Sequence, residues 1–295
     1  MASILVNPSA ITALQSLRMT QMSLNSTQKE ISTGLKISSA ADNASTWSIA
    51  ETMKSDKGVL STISDALSES SSMLNVASAA VKSAITVMNS IKSAVAQAEQ
   101  PGADQAKILT SLQQLGSQLT SVISSATFTG LNLTDGSQAS PIKLIASYTD
   151  GGGAAASTIG TIDLTLTDLT NAGGTGILEA ATATGSAAAT NFTGLVAGDL
   201  ATATVGDTLS NADKAIADLT KYAAELGSTQ TRVDAQATFI KTMNDALTTG
   251  VSSLVDADMN EASTRLQALQ TQQQLGIQSL SIANQNSQMI LKLFQ

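Results

Sequence analysis

Residues 35–51 read "LKISSAADNASTWSIAE", and they interrupt a helical pattern that runs up to them and resumes beyond them. Upstream, alternating 3–4 spacing joins Ala10, Leu14, Leu17, Gln21, Leu24, Gln28, Ile31 and Leu35. This is the period of a helix that packs along one seam. Downstream, the same spacing joins Val59, Ile63, Ala66, Ser70, Met73, Ala77 and Ala80, and continues to Ala98 before Pro101-Gly102 stops it. Between the two runs, Gly34 is suited to end a helix, because glycine takes a positive φ at little cost. Asp42 and Asn43 can satisfy free backbone N–H groups before the next helix. The stretch also holds Trp47, the single tryptophan of the chain. Local chemistry makes it a connector, and an ordinary interhelix loop is the simplest account of it.

Two further helical runs follow. One is Ile108, Leu112, Leu115, Leu119, Val122 and Ala126, ending before Phe128-Thr129-Gly130. The other starts at Leu209 and Ala212 and continues through Leu226, Gln230, Val233, Ile240 and Leu247 to Leu254. There the register slips by one residue, then resumes as Met259, Ala262, Leu266, Leu269, Gln273, Gly276, Leu280, Ala283, Ser287, Ile290 and Phe294. The slip falls at "VDADMNEAS" (255–263), where Asp256 and Asp258 suit a helix N-terminus or a bend. Residues 132–205 differ in kind, being rich in Gly, Ala, Thr and Ser with few charges. Alternation over 142–148 and 158–164 predicts short strands there.

Composition narrows the functional classes. The chain of 295 residues carries a formal charge of −8, which argues against nucleic acid or an anionic membrane surface as partner. It has no histidine and no cysteine, which removes thiol nucleophiles, disulfides and the usual imidazole ligands. Asp256 and Asp258 could be read as a carboxylate pair for acid–base or cation chemistry, but capping is the favoured account. No catalytic centre, metal site or cofactor is expected. The N-terminus lacks a basic segment followed by an apolar run, so it does not read as a Sec signal peptide. No stretch reaches the roughly 18 apolar residues of a membrane span, and no membrane insertion is expected.

One tryptophan, two tyrosines and four phenylalanines are too few aromatics for an ordinary globular core; alanine and branched aliphatics suit long packed helices instead. The first and last helices each carry a seam and are expected to pair. Those seams are thin, however, and contain Gln21, Gln28 and Gln273 at seam positions. Such polar groups either fix register and partner number or are simply hydrated. An isolated terminal pair is therefore marginal against the entropy of ordering it, and self-assembly is the expectation.

At this point the residues resemble a known family. "LNSTQKEISTGLKISSAADNASTWSIAETMKSD" (24–56), "LGSTQTRVDAQATFI" (226–240), "SSLVDADMNEAS" (252–263) and "LQTQQQLGIQSLSIANQNSQMILKLF" (269–294) resemble, in that order, the signature segments of bacterial flagellins. The resemblance covers about 1–135 and 205–295. It departs in Trp47-Ser48, where a Gly-containing pair is common, and in a short insert. The resemblance implies a mainly α fold: long antiparallel coiled-coil arms from both termini and a small β-rich or irregular central insert. Its divisions are an N-terminal inner helix (1–44), the N-terminal part of a middle helical domain (45–131), a variable outer insert (132–205), the C-terminal part of the middle domain (206–254) and a C-terminal inner helix (255–295).

Under this resemblance the 35–51 stretch becomes a spoke that redirects the chain at fixed geometry, with Gly34, Asp42 and Asn43 on the ascending arm and Asp256 and Asp258 on the descending one. Leu14, Leu17, Gln21, Leu24, Gln28, Ile31, Leu35, Leu266, Leu269, Gln273, Leu280, Ala283, Ile290 and Phe294 become a self-assembly seam between subunits. The implied function is a structural subunit that polymerises into the filament used for swimming motility. A low-copy hook–filament junction protein with similar termini is the alternative. The implied partners are other flagellin subunits, an export chaperone, the flagellar type III export apparatus, and filament cap and hook-junction proteins. The implied location is extracellular, in the flagellum.

Overall fold

In the computed structural model, the described residues are 7–151, 156–170, 174–186, 188–201 and 204–293, with side-chain surroundings defined as far as 285. The order of elements is α1 (Pro8–Thr33), α2 (Ala44–Ala98), α3 (Gln105–Ser125), β1 (Thr127–Phe128), β2 (Leu131–Asn132), β3 (Ile142–Thr149), β4 (Thr158–Leu164), a 3-10 turn (Ala197–Leu200), α4 (Val205–Val255) and α5 (Met259–Leu293). The mainly helical class with long terminal helices and a small strand-containing middle is what the structure has. Among the described residues, no helix is long and apolar enough to cross a membrane.

The chain divides into two compact units. One combines Met1–Lys57 with Asp245–Gln295, and the other is Gly58–Asn244. These divisions differ from the sequence-derived boundaries at 131 and 205, and the packing inside the second unit explains why. Leu169, Leu178, Phe192, Leu195 and Leu200, all from the expected outer insert, are essentially fully buried. The insert therefore shares a core with the helices instead of forming a body of its own.

Helix α2 shows how that core is built. The sequence-derived row through Ile63, Met73, Ala77, Ala84 and Ile91 is buried, but so is a second row one residue ahead. Leu60, Leu67, Leu74, Val81, Met88 and Val95 form a strict seven-residue repeat, each at 2% exposure or less. A helix with two adjacent buried rows has neighbours on more than one side. On α4, Thr208, Ala215, Tyr222 and Thr229 likewise form a buried heptad row.

Buried polar groups tie the irregular segments to the helices. Asn211, fully buried on α4, donates to the Ala188 carbonyl and the Thr190 hydroxyl, both at 2.9 Å, and accepts from the Ala183 N–H at 2.6 Å. Asn132 donates to the Ile123 carbonyl at 2.7 Å and accepts from the Thr134 N–H and hydroxyl. The Tyr222 hydroxyl donates to the Leu133 carbonyl at 2.9 Å, and burial pushes its pKa up to about 12. Each bond satisfies a backbone or side-chain group that would be costly to bury alone.

The strands follow their sequence signals. Thr129 and Gly130 both have positive φ, 49° and 84°, the geometry of the tight turn that joins β1 to β2. The strands β3 and β4 pair antiparallel with Ile142 opposite Leu164 and Tyr148 opposite Ile159, and with a bulge between Ile145 and Ser147.

Gly116 of α3 marks a close approach of the insert. A Cβ there would sit 2.8 Å from the Phe192 carbonyl oxygen and 3.0 Å from that of Thr193, both backbone atoms. Gly116→Ala is expected to destabilise this unit by about 1–3 kcal/mol through overpacking. By contrast, a Cβ at Gly227 of α4 meets nothing within 4 Å, and Gly227→Ala should stabilise by about 0.5–1 kcal/mol through helix propensity. Urea unfolding of the two variants beside the unsubstituted chain measures both; equal midpoints for all three would contradict the packing at Gly116.

Candidate functional site

The terminal helices form an antiparallel pair within the first unit. Asn7 sets one end. Its Oδ1 caps α1 by accepting from the Ala10 N–H at 3.1 Å, Pro8 follows at the first helical position, and its Nδ2 donates to the Ala283 carbonyl of α5 at 3.0 Å. The sequence reading missed Asn7, although an asparagine directly before a proline is a helix-start signal. Farther along, Gln273 donates through Nε2 to Gln21 Oε1 at 2.7 Å, and Arg265 lies 3.9 Å from Glu30.

On α5, the inward row has the spacing read from the sequence. Ala262 is buried, and Leu266, Leu269, Gln273, Gly276, Leu280 and Ala283 are half-buried. On α1 the inward row is Ala10, Ala13, Leu17, Thr20, Leu24, Thr27 and Ile31, with Leu24 and Thr27 fully buried. It shares Ala10, Leu17, Leu24 and Ile31 with the sequence-derived row but replaces Leu14, Gln21 and Gln28, which are exposed, by their smaller predecessors. The reason is the position of α5. A Cβ at Gly276 would lie 3.2 Å from Leu17 Cδ1, so the two helices approach closely there, and the residues between the inward leucines of α1 are alanine and threonine. Leu35 is half-buried in the turn beyond α1. The side chain of Ile290 and the whole of Phe294 lie outside the described residues.

The turn between the inner helices and their continuations is a clasp of two backbone segments. Gly34 has φ 72° and donates to the Glu30 carbonyl, ending α1 in a left-handed cap. Leu35 then bridges Asp256 in antiparallel fashion. Lys36 and Ile37 donate to the Val255 carbonyl at 2.7 and 3.2 Å, and Ala257 donates to the Gly34 carbonyl at 2.9 Å. Of the two aspartates here, Asp258 caps α5 through its carboxylate, accepting from Asn260 at 2.9 Å and Glu261 at 3.3 Å. Asp256 enters the clasp through its backbone instead. Asn43 caps α2, accepting from the Thr46 N–H at 3.2 Å.

Asp42 organises the loop. One carboxylate oxygen accepts from the backbone N–H groups of Ser38 and Ser39, at 3.0 and 2.9 Å, and from both of their hydroxyls. Lys29 Nζ lies 3.7 Å away. These bonds, led by the Ser38 backbone and the Ser39 hydroxyl, hold the Asp42 pKa down at about 2. This geometry orders a turn. Among the described residues no group of three or more acidic or other ligating side chains is placed to hold a metal ion.

Comparison with known proteins agrees with this arrangement. Residues 4–139 match the bacterial flagellin N-terminal helical region and 209–294 the bacterial flagellin C-terminal helical region. Over the whole of both chains, the protein is 42% identical to Flagellin C of Rhizobium meliloti (strain 1021) and 40% identical to a flagellin of Brucella melitensis biotype 1. It is 33% identical to Flagellin FljM of Caulobacter vibrioides, over 99% of this chain and 98% of that one. The chain belongs to the bacterial flagellin family, the structural subunits that polymerise into the flagellar filament.

The depressed Asp42 pKa has a signed consequence. Because it lies below the unfolded value near 3.8, the carboxylate contributes stability that is fully present above pH about 4 and lost as pH falls toward about 2. Asp42→Asn should therefore lower the melting temperature at neutral pH, and the difference from the unsubstituted chain should shrink below pH about 4 and close near pH about 2. Calorimetric scans of both chains across that range check it; a pH-independent difference would mean the hydrogen bonds do not depend on the charge.

Proposed function

We propose that this chain builds the filament through α1 and α5, meeting other subunits along faces that a single copy leaves open. The observation that carries this reading is the imbalance of burial in the terminal pair. Leu24, Thr27 and Ala262 are the fully buried side chains of α1 and α5 among those described. Ile11, Met19, Met22, Leu275, Ile277 and Ile282 are exposed by 54–64%. A two-helix pair with so small an interior does not offset its own ordering entropy, whereas association that covers these side chains adds burial. Charge does not oppose the contact. Residues 266–291 of α5 and 19–28 of α1 carry no ionisable side chain, so copies with a net charge of −8 can meet here without juxtaposing like charges.

The proposed seam comprises the outward residues of these helices, Leu14, Gln21 and Gln28 among them, together with Ile290 and Phe294, while Leu17, Leu24, Ile31, Leu35, Leu266, Leu269, Gln273, Leu280 and Ala283 hold together the pair that presents them. The family's way of life adds the remaining steps: passage in unfolded form through the flagellar type III export apparatus, an intracellular chaperone on the C-terminal region, and assembly under a filament cap above junction proteins. The subunit then resides outside the cell in the flagellum. Its role is mechanical, and no residue is assigned to catalysis.

The test is polymerisation of the purified chain, seeded or salt-induced, followed by sedimentation and electron microscopy, with hydrogen exchange on monomer and polymer. Amides of α1 and α5 should exchange fast in the monomer and become at least tenfold more protected in filaments, while the 58–244 unit is protected in both. Equal protection of the terminal helices in the two states would show that they are not the assembly surface.

A further inference from the structure

The terminal pair has two dissimilar faces. Along one side runs a groove of about 630 Å³ whose walls include Ser9, Thr12 and Ser16 of α1 and Ser279, Ile282 and Ala283 of α5. It spans one heptad. The Asn7–Ala283 hydrogen bond closes one end, and the close approach of Leu17 to Gly276 closes the other. Its walls are mostly small hydroxyl-bearing and alanine side chains, with Ile282 as an exposed apolar rim.

The opposite side carries a ridge. Successive helical residues turn by about 100°, so with Ala13, Leu17 and Leu24 facing α5, Thr12 and Ser16 fall on the groove side and Leu14 and Gln21 on the other. On α5, with Gly276, Leu280 and Ala283 facing α1, Ser279 and Ile282 fall on the groove side and Ile277 on the other. The Asn7–Ala283 and Gln21–Gln273 bonds fix the antiparallel register and bring Leu14 and Ile277 to the same height as the groove. Both are exposed, at 37% and 55%.

We propose that the Leu14–Ile277 ridge of one copy seats in the Thr12–Ser279 groove of the next, a contact that rests on the polymerisation reading above and names its parts. Three features favour a second copy as occupant. The pair cannot be stable on the few side chains it buries alone. Groove and ridge are both uncharged, so nothing ionised is left unpaired when they close. Above all, the two patches are different surfaces on opposite sides of the same pair. A contact between unlike patches is heterologous, so each added copy presents a fresh groove, and the series grows as an open helix or ring instead of stopping at a dimer.

The chain lacks cysteine, so introduced thiols report without background. Thr12→Cys and Ile277→Cys are combined in one chain, filaments are grown under reducing conditions, oxidised, and dissolved in denaturant without reductant. The expected product is a ladder of dimers, trimers and longer species, with each single variant remaining monomeric. The two thiols lie on opposite faces of one pair, so they cannot close within a copy. Normal filaments that yield only monomer would overturn the proposal while leaving polymerisation intact, and dimers from either single variant would overturn it in favour of a like-with-like contact. Absence of filaments from the unsubstituted chain would instead remove the reading on which it rests. As a second measure, Ser16→Trp fills the groove and should reduce the polymerised fraction at least tenfold while the helical circular dichroism signal is kept. Filaments at the unsubstituted level from that variant would equally overturn the groove.

Discussion

Three backbone hydrogen bonds join residues 34–37 to residues 255–257, and the geometry of the terminal arms depends on them. They tie the ascending and descending passages of the chain at one point, so α1 and α5 start from a common origin and run antiparallel with a fixed register. A left-handed cap at Gly34, the turn that Asp42 closes with Ser38 and Ser39, and the caps at Asn43 and Asp258 define the backbone at that point. Backbone pairing suits the task, because it sets direction without a bulky core. Between the clasp and α2, the bonds of Asp42 to Ser38 and Ser39 and the Asn43 cap order the intervening residues.

Away from this clasp, the terminal pair is held by small residues and amides. The row Ala13–Thr20–Thr27 lets the helices approach closely at Gly276, and the Gln21–Gln273 bond adds a polar contact at the outer edge. This choice keeps the pair narrow and leaves its large apolar side chains outward. In the proposed assembly those outward side chains are what neighbours cover, so the placement of Leu14, Met22, Leu275 and Ile277 that keeps the single pair thin is the one the proposed contact uses.

The 58–244 unit is built on the opposite plan. Its α2 helix buries two heptad rows, and Phe192, Leu195 and Leu200 from the irregular insert complete the core. Asn211 bonds irregular backbone at Ala183 and Ala188, and Asn132 joins the last turn of α3 to the segment that follows β2. The Lys92–Asp213 pair lies at the exposed margin, where an ion pair contributes little to stability. A body of this kind holds its shape as a single copy.

The sequence alone determined a good deal. Periodicity located five helices, the glycine and proline stops placed their ends, and alternation located β3 and β4. Those signals were legible because each is local: a 3–4 repeat, a cap residue, or a turn residue acts through its immediate neighbours. The segments matching flagellin then fixed the family and with it the function. What only the tertiary structure decided was which of two adjacent residues faces inward. Leu14, Gln21 and Gln28 fit a helical seam as well as Ala13, Thr20 and Thr27 do on periodicity, and only the position of α5 decides that the second set faces inward. The same holds for the insert. Its composition is that of a loose outer segment, yet Leu169, Leu178 and Phe192 lie in the core, because long-range contacts with α3 and α4, invisible in local pattern, determine where an irregular chain buries its few large side chains.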